Sequence, residues 1–215
     1  MLPLAFPPDG LRHVLCLGAH CDDIEIGCGG TLAELGRRFP GARFQWVVLS
    51  ADDVREQETR EAAARLHGAG VDYEVEVARF RGSYFPFCGG EIKDHFESLK
   101  ARANPDLILT HRLEDRHQDH RVVAELTWNT FRRHTIVEYE IPKYEGDLGQ
   151  PNLYVPLARE TVELKLKALT ECFPSQRERA WFSEDLFRGH LRLRGVECNA
   201  PSGFAEAFHA RKLVL

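Results

Sequence analysis

Two stretches of this chain gather imidazoles and carboxylates at spacings that let them converge. Gly18-Ala19-His20-Cys21-Asp22-Asp23-Ile24-Glu25-Ile26-Gly27-Cys28-Gly29-Gly30-Thr31 is the first, and His111-Arg112-Leu113-Glu114-Asp115-Arg116-His117-Gln118-Asp119-His120 is the second. His20 and Asp23 lie three apart in a turning segment and can point toward one centre, where His120 from the second stretch would complete a His/Asp/His set. Three such donors with a fourth position open to water is the composition of a catalytic zinc site, and zinc brings the pKa of its water to roughly 7. Asp22, next to a ligand without being one, is placed to accept that water's proton as general base. His117, one helical turn before His120, is expected in the same pocket, where as an imidazolium it would stabilise an oxyanion or protonate a leaving amine. Asp115 and Asp119 are candidates to orient these imidazoles, and spacing does not say which serves which. His111 reads as a packed, hydrogen-bonded residue, and Glu25 is left between contacting the site and neutralising an arginine.

The elements around these stretches must hold them side by side. Val14-Leu15-Cys16-Leu17 is short and apolar enough for a strand buried on both faces, and Thr31 to Phe39 has helical spacing. The first stretch therefore reads as a strand-to-helix loop. Phe44–Ser50, Tyr73–Val77, Leu107–Thr110, Ile136–Ile141 and Leu153–Val155 read as further strands. Helices are expected from Arg55, from Ile92 to Ala103, from Val122, over Glu160–Phe173 and from Ser183 to near Gly195. Strands alternating with helices imply a Rossmann-like, doubly wound, mostly parallel α/β sheet in a single domain over residues 1–215, with ligands bound beyond the strand ends. Segments 81–90 and 143–152 read as long loops flanking that crevice. Tyr84, Phe85 and Phe87 either form a lid over sugar rings or pack the first loop to the core.

Composition narrows the partners. A net charge of −5 with mixed signs leaves no basic stripe for nucleic acid. No apolar run approaches the ~20 residues that cross a bilayer, and the N-terminus lacks the pattern of a secretion signal, so a soluble cytoplasmic protein is expected. Homo-oligomerisation is left open. The six cysteines form no CxxC pair and read as reduced, packed residues. Gly27, Gly29 and Gly30 lack the spacing of a phosphate loop, yet would allow the backbone to turn tightly near a ligand. A nucleotide-binding α/β module without catalysis is the reading that these glycines would carry if no metal bound.

The paired signatures, His20-Cys21-Asp22-Asp23-Ile24-Glu25 with Gly29-Gly30-Thr31-Leu32 and Asp115-Arg116-His117-Gln118-Asp119-His120, resemble those of PIG-L/LmbE-type zinc-dependent N-acetyl-sugar deacetylases. The likeness extends through Arg55 to Lys165-Leu166-Lys167-Ala168-Leu169, Ser175-Gln176 and Ala205-Glu206-Ala207-Phe208. It implies His20, Asp23 and His120 as ligands of Zn2+ or another divalent metal, Asp22 as base, His117 as the oxyanion or acid group, and Arg55 as an arginine reaching the active site. The implied substrate is an N-acetylglucosamine-type sugar or related small amide. An amide in a thiol conjugate or antibiotic precursor would suit the same chemistry. Where the family usually has proline this chain has Cys21, which implies a less rigid turn and a thiol near the metal.

Overall fold

Val14 to Leu17 leave no polar side chain for water, and the strand they build, β1 (His13–His20), is buried along both faces in the interior of the sheet. The structure, a computed structural model, describes residues 6–7 and 10–213. β2 (Arg43–Ser50) and β3 (Asp72–Val77) extend the sheet on one side of β1. β4 (Leu107–His111) and β5 (Thr135–Tyr139) extend it on the other, all parallel. β7 (Ala205–Ala210) and β6 (Leu153–Pro156) finish the edge as antiparallel strands, giving the order β3-β2-β1-β4-β5-β7-β6. The chain runs outward from β1 to β3 and then crosses to β4, so strand order reverses between β1 and β4. The crevice at such a reversal is where ligands bind in open α/β sheets.

Side chains alternate across β1 and feed two cores. Val14 and Cys16 meet α1 (Asp23–Arg38), α2 (Asp53–His67), α5 (Arg159–Cys172) and α6 (Glu184–Glu197) on one face. Leu15, Leu17 and Ala19 meet α3 (Gly89–Arg102) and α4 (Gln118–Thr130) on the other. Asp52 and Ser183 cap α2 and α6 by accepting from the Arg55 and Leu186 amides. The doubly wound, mostly parallel α/β architecture is the expected one. No helix among the described residues is long and apolar enough to cross a membrane.

The structure differs from expectation at α1, β5 and β7. α1 begins at Asp23 instead of Thr31, so Cys21 and Asp22 alone join it to β1 and the glycine run lies inside the helix. The helix tolerates glycine there because packing requires it. A Cβ on Gly27 would stand 2.2 Å from the Tyr139 ring, and one on Gly30 would stand 2.6 Å from Leu157. These glycines therefore serve helix-to-sheet contact, not the approach of a ligand. Against the same turn lies a buried ion pair. Lys165 donates to the Ile26 carbonyl (2.6 Å), while Glu206 accepts from the amides of Gly30 (2.8 Å) and Thr31 (2.6 Å). β5 stops at Tyr139, short of Ile141, and β7 was not expected as a strand at all.

His67, at the end of α2, is buried between Phe44, Trp46 and Tyr73, and its Nε2 accepts from Trp46 Nε1 at 3.0 Å. Burial lowers its pKa from 6.5 to about 4. Because the folded value lies below the unfolded one, the neutral ring's contribution is complete above pH 6.5 and is lost as pH falls toward about 4. Urea unfolding of metal-free protein across that window should show a loss shallower in His67→Gln than in wild type, by roughly 3 kcal/mol summed over the window. Parallel curves for the two proteins would contradict this.

Candidate metal centre and active site

His20 is the last residue of β1 and His111 the last of β4, so neighbouring strands deliver both to the crevice. Between β1 and α1, Asp22 takes a left-handed conformation with φ 97°, a strained geometry for a residue with a Cβ. That sharp turn sends Asp23 back toward its own strand, where Oδ2 accepts the His20 amide at 2.7 Å. Asp23 Oδ2 lies 3.5 Å from Nδ1 of His20, and Oδ1 lies 3.5 Å from Nε2 of His120. His20, Asp23 and His120 are thus brought together, across two turns almost a hundred positions apart.

Each imidazole is held from its far side. His20 Nε2 meets Asp119 Oδ2 at 3.0 Å, and His120 Nδ1 meets Asp115 Oδ2 at 3.0 Å. The structure therefore assigns the two aspartates that spacing left open. Asp119 also accepts the amides of Ser83 and Phe85, which fastens the 81–87 loop to the first turn of α4. Phe85 is buried with its ring stacked at 6.0 Å on His20, whereas Tyr84 and Phe87 are exposed, so one aromatic packs and two do not. The packing reading holds for Phe85.

Two overlapping sets of donor atoms lie within 4.8 Å of one another: His20, His117 and His120; and Asp23, His111 and His120. The second set forms a possible metal site, but its His111 nitrogen is already engaged. The Ala19 amide donates to His111 Nε2 at 2.9 Å, and burial, helped by His120, lowers the His111 pKa to about 4. A neutral ring with that lone pair occupied packs against His120, the ring centres 4.0 Å apart, as the packed residue the sequence indicates.

Electrostatics at the centre favour positive charge. His120 is fully buried, which by itself would lower its pKa, yet Asp23 and Asp115 outweigh that and push it up to about 10. Asp23, against the same desolvation, is held well below the usual carboxylate range by His120 and His111. Asp22 behaves differently. Burial raises it to about 7, opposed by Arg55 and reinforced by Asp23, and its Oδ2 lies 3.1 Å from the Arg55 guanidinium. Arg55 also donates to the Cys21 carbonyl, so it reaches the active-site turn from the start of α2.

His117 precedes α4 as its N-cap, and its ring centre lies 4.4 Å from that of His120 and 5.0 Å from that of His20. Burial and those two imidazoles lower its pKa, which favours the neutral ring. The Asp119 amide donates to its Nδ1 (3.3 Å), which leaves the proton on Nε2.

Glu25 turns away from this cluster. Thr59 of α2 donates to its Oε1, and burial pushes its pKa up to about 8. It is a protonated packing carboxyl. Cys21 is fully buried, and burial raises its thiol pKa. A protonated, inaccessible thiol is not a ligand and resists oxidation.

The family described as GlcNAc-PI de-N-acetylase (PIG-L) matches residues 15–131, from β1 to the end of α4, which contains both clusters. The chain belongs to the PIG-L family. With it the chain is an enzyme of the amide-hydrolysing deacetylase class. An uncharacterized deacetylase of Escherichia coli K12, YaiS, is 25% identical over 174 residues, 74% of this chain and 89% of that protein. Among solved structures, GalB, the 4-carboxy-2-hydroxymuconate hydratase from Pseudomonas putida KT2440, superposes with a TM-score of 0.79 at 17% identity, covering 95% of this chain and 98% of that one. The N,N'-diacetylchitobiose deacetylase from Pyrococcus horikoshii gives 0.73 at 22% identity, covering 95% and 85%. These likenesses show a shared fold. Within the matched span, Arg55 braces the turn that carries Cys21 and Asp22.

Native alkylation with a maleimide, mapped by mass spectrometry, should therefore leave Cys21 unlabelled until the protein is unfolded. Labelling of Cys21 in the folded protein would overturn the assignment of a buried, unreactive thiol.

Proposed function

We propose that this PIG-L protein is a zinc-dependent N-deacetylase acting on an N-acetylglucosamine-type sugar or a related small amide. His20, Asp23 and His120 hold the metal, Asp22 is the general base, His117 steadies the oxyanion and Arg55 tunes Asp22. The observation that carries this reading is the convergence of two imidazoles and a carboxylate whose outward nitrogens are both already on aspartates.

The donor set fits the metal. Two nitrogens and one oxygen with a position left open suit zinc, and ligating histidines regularly hold a carboxylate on the other ring nitrogen. The proton held on His120 up to about pH 10 marks a place where the fold favours a cation. Cobalt, nickel or iron would match the same donors. When bound there, a divalent ion would polarise the acyl oxygen and acidify water.

The chain's own groups supply the proton traffic. With a pKa of about 7, Asp22 is ionised often enough to take a proton and protonated often enough to return one. It removes a proton from water as that oxygen bonds to the amide carbon, and the proton then passes to the nitrogen as the C–N bond breaks, releasing acetate and a free amine. His117 donates from Nε2 to the acyl oxygen as negative charge builds on it. Arg55, at 3.1 Å, keeps the buried Asp22 carboxylate from being neutralised by desolvation alone.

The substrate class is supported by the family description, GlcNAc-PI de-N-acetylase, and by the activity named for the Pyrococcus relative in fold. Fold alone does not fix the reaction, because a hydratase shares it. Acetate release from N-acetylglucosamine derivatives, with and without chelator, tests the reading. Asp22→Asn should keep its bound metal and lose about 10²- to 10⁴-fold in turnover. Wild-type turnover in that variant, or full turnover after chelation, would refute it.

A further inference from the structure

Lys143 lies in the second long loop, 28 positions from the nearest motif residue it touches, and nothing in the active-site signatures includes it. Its side chain is 7% exposed, and its ammonium sits between two buried carboxylates. Asp115 Oδ2 is 3.0 Å away, and the two Asp147 oxygens are 2.7 and 2.8 Å away. The Asp115 oxygen that accepts from Lys143 is the same one that meets His120 Nδ1 at 3.0 Å. The other Asp115 oxygen accepts the His117 amide at 2.8 Å. Asp147 in turn accepts the Arg116 amide at 2.6 Å, and its carbonyl accepts from Arg112 at 2.7 Å.

We infer that Lys143 is a positioning residue for the metal centre: through Asp115 it fixes the ring of His120, and through Asp147 it draws the 143–147 loop onto the turn that carries His117. The physical reason is charge. Asp115 and Asp147 are 4% and 5% exposed on their side chains, and two buried carboxylates in one pocket repel each other unless a cation lies between them. Remove the ammonium and one of them turns toward water. If Asp115 does so, His120 loses the acceptor that aims its Nε2 at Asp23. Lys143 meets none of the three assigned ligands, and its influence on His120 passes through Asp115 alone.

This inference rests on the reading of His120 as a ligand, and its test uses Zn2+ alone, with no substrate. Zinc affinity by chelator competition should fall about 10- to 100-fold in Lys143→Met, the range typical of lost partners behind a ligating histidine, while Lys143→Arg recovers most of it. In an Asp115→Asn background, Lys143→Met should bring no further loss, because the route through Asp115 is already cut. If Lys143→Met alone does not fold, the same loss of about 10- to 100-fold is read for Lys143→Met/Asp147→Asn relative to Asp147→Asn, a pair that leaves no uncompensated Asp147 charge. Wild-type zinc affinity in folded Lys143→Met, or a clear further loss in the double variant relative to Asp115→Asn, would overturn the inference. A failure of the ligand assignment itself would look different: wild type and His120→Ala would bind zinc equally.

Discussion

The site depends on a concentration of buried negative charge that must be answered by positive charge at its middle. Asp22, Asp23, Asp115 and Asp119 are each no more than 4% exposed, and they face one another across the ends of β1 and α4. Uncompensated, such a group would not stay ionised inside a protein. Arg55 answers it from α2 and Lys143 from the far loop, leaving the histidines to serve the centre. Without a metal, protons take that place, and His120 retains one up to about pH 10. The same arrangement that raises the pKa of His20 and His120 would suit a divalent ion at their nitrogens.

Rigidity at that centre comes from backbone placed without slack. Two residues separate β1 from α1, and one of them, Asp22, bends the chain through a left-handed conformation that Arg55 steadies through the Cys21 carbonyl. Behind them the helix lies so near the sheet that Gly27 touches the Tyr139 ring, whose hydroxyl donates to the Leu17 carbonyl at 2.7 Å. The Lys165–Glu206 pair fixes the next turn of the same helix. Packing far from the chemistry therefore sets where Asp23 points.

Much of this was legible because chemistry-bearing residues have few other reasons to cluster. The convergence of His20, Asp23 and His120 and the packed role of His111 followed from residue type and position at strand ends. The start of α1 did not, because glycine opposes helix by local propensity and only contact with Tyr139 and Leu157 overrides it. β7 escaped because Ala205-Glu206-Ala207-Phe208-His209-Ala210 has little strand preference and is held by pairing with β5 and β6. The partners of Asp115 and Asp119 were equally hidden, since one touches a loop and the other a lysine that no spacing rule connects to it. The downward pull on the His117 pKa was hidden for the same reason, since two neighbouring imidazoles and burial act on it only in the folded chain.

The central claim is that one divalent ion sits where the two turns meet. Anomalous diffraction at the zinc absorption edge from crystals grown with zinc would locate it directly. The account predicts one strong peak within bonding distance of Nδ1 of His20, a carboxylate oxygen of Asp23 and Nε2 of His120, with His111 still accepting the Ala19 amide. A peak bonded to His111 in place of His20, or no peak between the two turns, would contradict it.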